Sequence, residues 1–89
     1  MSRDSSNEAT PAPEIAIFTQ PGCGYCERAR KLLTEHGLAF EEIEIGLEID
    51  RSALRAVTGA NTVPQVYIDG VHIGGSDDLA AHLSNRNAA

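Results

Sequence analysis

Apolar residues are sparse as far as Pro13 and then arrive in short, ordered bursts. Glu14-Ile-Ala-Ile-Phe-Thr19 is a nearly continuous apolar run of strand length, which suits a buried strand. Gln20-Pro21-Gly22 breaks it. From about Gly24 to His36 the spacing turns helical. Ala29, Leu32 and Leu33 share one face, Tyr25 and Cys26 lie a turn earlier, and Gly37 suits a left-handed stop. Phe40 to Ile45 alternates, with Phe40, Ile43 and Ile45 set against Glu41, Glu42 and Glu44 and one slip in the period. This predicts a second strand. A strand, a helix and a strand in succession predict a parallel pair joined by a right-handed crossover.

The second half of the chain changes rhythm. Asp50 is placed to cap a helix from Arg51 to about Thr58, with Leu54 and Val57 inward and Gly59 ending it. Gln65 to Ile68 reads as a strand, Asp69-Gly70 as a hairpin turn and Val71-His72-Ile73 as its short partner. Gly74-Gly75 breaks that strand. Ser76 is placed to cap a last helix that carries Asp77 and Asp78 in its first turn and turns Leu79 and Leu83 to the core. No segment repeats. The predicted order is βαβ, then α, then ββα. It sets a disordered leader at 1–13, one domain at 14–86 and a frayed end at 87–89.

Composition narrows the classes of function. A chain of 89 residues supports one domain with a modest core. The formal net charge of −6 argues against a nucleic-acid-binding surface. Arg28, Arg30 and Lys31 form the one local cationic cluster, either a solvated helix face or a source of positive potential near Cys23. Met1 to Pro13 has no apolar signal core, and no stretch is long and apolar enough to span a bilayer. The expectation is a soluble, cytoplasmic protein with no membrane partner.

The chemistry lies in Cys23-Gly24-Tyr25-Cys26, which holds both cysteines of the chain just after the first strand. Two thiols spaced i and i+3 at a helix start can close a small disulfide and reopen it, and unpaired amides there favour a thiolate. Cys23 precedes the first turn and is the expected nucleophile. Cys26 lies within that turn, faces inward and is the expected resolving thiol. Their exchange would run through a mixed disulfide. A zinc site needs two more ligands, and His36, His72 and His82 are not paired at metal-binding spacing. A structural disulfide closing so short a loop would constrain little of the unfolded chain. A CxxC beside a βαβ pattern reads first as thioredoxin-like redox chemistry.

Two further segments are candidates for binding. In Thr62-Val63-Pro64 a proline opens a strand. It is either an ordinary trans edge proline or, if cis, a turn that lets Val63 pair with an extended peptide. Gly74-Gly75-Ser76-Asp77 is either a capped helix after a turn or a carboxylate site. In the second case Asp77 could also hold an ammonium group.

Taken together these residues resemble the glutaredoxin family. The resemblance covers roughly residues 14–84 and rests on FTQPGCGYC, NTVPQVYIDG and HIGGSDDL, in that order. It implies an α/β, thioredoxin-like fold with a four-stranded mixed β-sheet flanked by three helices, and a cis Pro64. It implies that Cys23 takes up a glutathionyl group and that Cys26 resolves protein disulfides. Tyr25 would line the glutathione groove, Thr62 and Val63 would meet the tripeptide backbone beside Pro64, and Gly75, Ser76 and Asp77 would receive the γ-glutamyl end. Gln20 stands where many relatives carry a Lys. Gln can donate a hydrogen bond to a carboxylate but brings no charge, and Ala60-Asn61 stands where relatives commonly carry an Arg just before the TVP segment, a charge that Arg51 or Arg55 would have to supply. Gly24 stands where dithiol members usually have Pro. The extended loop and the Trp-Pro pair of the monothiol branch are both missing.

The expected activity is therefore that of a dithiol glutaredoxin. It would be a monomeric, glutathione-dependent oxidoreductase acting on glutathionylated or disulfide-containing proteins. The alternative, motivated by Gly24, is a carrier that holds a [2Fe–2S] cluster between two subunits through Cys23 and glutathione. Apart from Cys23 in that alternative, no metal ligand is expected.

Overall fold

The computed structural model describes residues 12–88. Along the chain come β1 (Ile15–Thr19), α1 (Gly24–Glu35), β2 (Glu41–Glu44), α2 (Arg51–Thr58), β3 (Gln65–Ile68), β4 (Val71–Gly74) and α3 (Ser76–Ala88). The strands form one mixed sheet of order β2–β1–β3–β4. β1 pairs parallel with β2 and antiparallel with β3, and β3 pairs antiparallel with β4. The expected fold class stands, with three helices on a four-stranded sheet. α3 continues to Ala88, past the domain end expected at 86. Residues 1–11 of the expected leader, and Ala89, lie outside the described residues.

Side-chain alternation sorts the core into two layers. Ile15 and Ile17 of β1 and Val66 and Ile68 of β3 meet Ala29 and Leu33 of α1 and Leu79 and Leu83 of α3. On the other side Phe18 packs with Ile45 and with Leu54 of α2, joined by Ile43, Ile49, Val63 and Tyr67. Ile17, Leu33, Leu54 and Leu79 are fully buried. Each contributes roughly 1.5–3 kcal/mol relative to an exposed side chain.

Several local expectations shift. Phe40 packs against the α1–α3 layer, whereas Ile43 and Ile45 belong to the α2 layer. The apparent slip in period is therefore no slip: Phe40 and Glu42 share one face, and Ile43 and Ile45 the other. In α2, Leu54 is buried as expected, but Val57 is 60% exposed and Thr58 is buried instead. The Thr58 hydroxyl donates to the Leu54 carbonyl at 2.8 Å and accepts from the Ala60 amide at 3.0 Å. With both needs met, threonine takes the inward i+4 position that a count of apolar residues assigns to valine.

The start of α3 also differs. Ser76 is not the cap; it is already helical and only 5% exposed. Gly75 is the capping residue, since its carbonyl accepts the Leu79 amide at 2.9 Å. Asp78 reaches back to the Gly75 N–H at 3.0 Å, the reciprocal half of a capping box. Asp50 caps α2 as expected, accepting from the Ala53 amide at 2.9 Å. Asp69 and Gly70 both carry positive φ, 52° and 80°, as a two-residue hairpin turn requires. The Val63–Pro64 peptide is cis, as the family resemblance implied and against the ordinary trans proline.

Candidate active site

Cys23 is the N-cap of α1, with extended backbone (φ −100°, ψ 111°), and its sulfur accepts the Cys26 amide at 3.3 Å. A helix-end N–H aimed at sulfur stabilises negative charge there. Both cysteines are free thiols, Cys23 partly exposed and Cys26 buried at 0% exposure. Burial pushes the Cys26 thiol up to about 12, and its hydrogen bond with Cys23 adds to the effect. Cys26 is thus a protonated reserve beneath an accessible sulfur.

This asymmetry has a pH consequence. The Cys26 thiol ionises near 9.0 in an open chain and near 12 in the fold. The folded state therefore holds a proton that the unfolded state has lost. Its contribution to stability is complete below pH 9 and disappears as pH rises from 9 toward 12. Urea unfolding at about pH 8 and about pH 10.5 should show a loss of stability in the native chain that Cys26→Ala lacks.

The other expected site segments converge on Cys23. Its thiol donates to the Val63 carbonyl at 3.8 Å, which brings the Thr62-Val63-Pro64 loop alongside. Thr62 is exposed, Val63 partly buried and Pro64 buried. On the far side of Pro64 lies Gly75, where a Cβ would stand 3.6 Å from the Pro64 carbonyl oxygen. Sulfur, proline loop and the start of α3 thus form one continuous edge. Tyr25 is 66% exposed beside it.

The cations are partitioned in a way local sequence does not reveal. Arg28 is ion-paired with Asp77, joining α1 to the start of α3. Arg30 donates through Nε and Nη2, at 2.9 and 2.7 Å, to one oxygen of Glu42, which also receives the hydroxyl of buried Thr19 at 2.7 Å. Arg30 and Thr19 together hold the Glu42 carboxyl below its usual range, the Arg30 hydrogen bond most of all. Lys31 approaches Glu35 at 4.0 Å. Each cation of the Arg28, Arg30, Lys31 cluster has its own carboxylate.

At the opposite end of the edge, Arg51 reaches Gln20. Its Nη2 donates to Gln20 Oε1 and its Nη1 to the Asn61 carbonyl, both at 2.6 Å. Arg55 instead donates to the Asn61 side chain at 3.0 Å. A full positive charge is therefore presented beside Gln20 without a lysine there. Among the described residues, no three or more His, Cys, Asp or Glu side chains converge as a metal site. A cavity of about 580 Å³ lies at the other end of β1, lined by Pro13, Glu14, Phe40 and Tyr67 among others, and contains none of the expected site residues.

Comparison with known proteins agrees with this geometry. The family model described as Glutaredoxin matches residues 15–73. The hybrid peroxiredoxin hyPrx5 of Haemophilus influenzae is 53% identical over 70 residues, covering 79% of this chain but only 29% of that protein. Glutaredoxin 3 of Escherichia coli is 44% identical over 68 residues, covering 75% of this chain and 82% of that one. The buckwheat glutaredoxin–glutathione complex superposes with a TM-score of 0.72 at 37% identity, covering 80% of this chain and 68% of that chain. A family model over most of the chain, together with relatives this similar, establishes that the chain belongs to the glutaredoxin family.

Proposed function

We propose that the protein is a glutathione-dependent thiol–disulfide oxidoreductase. The observation that carries this reading is the pairing of a partly exposed Cys23 sulfur at the start of α1 with a buried, protonated Cys26 behind it. The Cys23 thiolate attacks the glutathione sulfur of a protein–glutathione disulfide. The S–S bond breaks, the protein thiolate leaves and takes a proton from solvent, and Cys23 carries the glutathionyl group. A second glutathione thiolate attacks that group, forming oxidised glutathione and releasing the Cys23 thiolate. With a protein disulfide, Cys26 loses its proton as it attacks Cys23. That step frees the reduced protein and leaves the Cys23–Cys26 disulfide for two glutathione molecules to reduce.

The edge described above suits a tripeptide laid along it, and the buckwheat glutathione complex supports that placement. Thr62 and Val63 would meet its backbone and Tyr25 would flank it. Gly75, Ser76 and Asp77 would take the γ-glutamyl end, whose ammonium would replace Arg28 at Asp77. Gln20 and Arg51 would take the glycine carboxylate. Monomeric action on glutathionylated proteins in a reducing cytoplasm fits this reading.

Turnover of a glutathionylated peptide with glutathione as sole reductant tests it, and a rate no faster than the uncatalysed exchange would overturn it. In that assay Arg51→Ala should raise KM about tenfold with kcat nearly unchanged, the size of one charge-assisted hydrogen bond. Arg55→Ala should change KM far less, because its guanidinium is turned to Asn61.

Gly24 supports a second reading, that of a [2Fe–2S] carrier. A Cβ at Gly24 would meet nothing within 4 Å, and Cys23 beside it is partly exposed. Cys26, at 0% exposure, could not serve, so Cys23 and an external glutathione thiolate would be the donors from each of two chains. Anaerobic reconstitution with iron, sulfide and glutathione should then give a coloured dimer with Cys26→Ser and none with Cys23→Ser; a colourless monomer in both rejects this reading.

A further inference from the structure

Gln65 opens β3 and its side chain is buried, at 5% exposure, so its amide needs partners inside the fold. Every polar atom of that amide has one. Its Nε2 donates to the Thr62 carbonyl at 3.0 Å and to the Thr62 hydroxyl oxygen at 3.2 Å. Its Oε1 lies 2.6 Å from His72 Nε2. A carbonyl oxygen only accepts, so His72 carries its proton on Nε2 and donates it. The Thr62 carbonyl fixes which way the Gln65 amide faces, because the flipped amide would set oxygen against oxygen there.

The imidazole is itself held in place. It stacks on Tyr67 with ring centroids 4.8 Å apart and planes 19° from parallel. The Tyr67 hydroxyl donates to the Val57 carbonyl at 3.1 Å. At the far end of the chain of bonds, the Thr62 oxygen is an acceptor from Gln65, which leaves its own proton free to donate outward. Thr62 is exposed and adjoins Val63, whose carbonyl faces Cys23.

We infer that His72 and Gln65 are positioning residues that aim the Thr62 hydroxyl at an acceptor on the backbone of the bound tripeptide. This deepens the proposed function and rests on its reading of Thr62-Val63-Pro64 as the substrate edge. The relay touches neither sulfur, so it governs affinity and leaves the exchange step alone.

The test is KM and kcat for a glutathionylated peptide across five proteins: the native chain, His72→Phe, His72→Gln, Thr62→Val and the His72→Phe/Thr62→Val double variant. Phenylalanine keeps a ring on Tyr67 but removes the donor, and glutamine returns an N–H where Nε2 stood. His72→Phe should raise KM about fivefold at nearly constant kcat, the size of one neutral hydrogen bond. His72→Gln should recover most of that loss. Thr62→Val should raise KM by a similar factor, and adding His72→Phe to it should change KM no further, because the histidine acts through the hydroxyl. If Thr62→Val leaves KM unchanged, the reading of the substrate edge fails and takes the relay with it. If Thr62→Val raises KM while His72→Phe does not, or if the two effects simply multiply, the relay alone is wrong.

Discussion

Cys23→Ser is expected to lower turnover of a glutathione mixed disulfide by about a thousandfold or more, while Cys26→Ser keeps most of it. A serine hydroxyl at neutral pH is a far weaker nucleophile than a thiolate, and losing the reacting atom of a covalent mechanism removes nearly all of the rate. In the proposed cycle the second thiol has no part. Cys26 is at 0% exposure and is held protonated by burial, so it meets neither the incoming disulfide nor the second glutathione. Its proposed role begins only when Cys23 is joined to a protein by a bond that glutathione reaches slowly. The same Cys26→Ser variant should therefore fail to release a protein trapped on Cys23. Steady-state rates with a glutathionylated peptide and with a disulfide-bonded protein separate these two outcomes. Equal loss in both single variants would mean that the sulfurs are not divided in this way, and full activity in Cys23→Ser would remove the assignment altogether.

Local chemistry made much of this architecture legible. The apolar burst of β1, the helical spacing after Gly24, the Asp50 cap and the Asp69-Gly70 turn each depend on neighbours within a few residues, and each is found where the sequence places it. The order of the two cysteines was legible for the same reason, since i and i+3 at a helix start already separates an outer from an inner sulfur. What escaped depends on partners distant in sequence. Arg28 finds Asp77 across 49 positions, and Arg51 finds Gln20 across 31. No spacing rule connects such pairs, because the sheet order that brings them together is a property of the whole chain. Thr58 and Phe40 escaped for a different reason. An apolar count assigns no value to a hydroxyl that returns to its own helix, and it reads as a slip the unbroken alternation that puts Phe40 and Ile43 on opposite faces of the sheet. The Gly75 cap was misread because Ser76 is the better capping residue by type. Asp78, three residues after Gly75, is what makes a glycine sufficient.

That same cap makes Gly74→Ala a substitution with a large expected structural effect. Gly74 carries φ +122°, a backbone conformation that side-chain-bearing residues rarely adopt. An alanine there costs roughly 1–3 kcal/mol in backbone strain alone. Its Cβ would also stand against the Asp78 carboxylate, 2.8 Å from Cγ and 3.0 Å from Asp78 Cβ. Asp78 must then swing away and leave the Gly75 N–H without its partner, a loss of about 1 kcal/mol for a helix cap. The sum is roughly 2–4 kcal/mol, a large fraction of the stability of a domain this small. Asp78→Ala should by itself cost only the cap, about 1 kcal/mol. In the double variant the contacts with the carboxylate disappear and only the 3.0 Å approach to the Cβ at position 78 remains, so Gly74→Ala should cost less there than in the native background. Denaturant unfolding of the four proteins reads that coupling directly, and strictly additive losses would show that the carboxylate is not what crowds Gly74. Activity adds a second reading. Gly75, which lies against Pro64, follows at once with Ser76 and Asp77 behind it, so Gly74→Ala should raise KM for the glutathionylated peptide even where the protein remains folded, while alkylation of Cys23, the N-cap of α1, proceeds at the native rate.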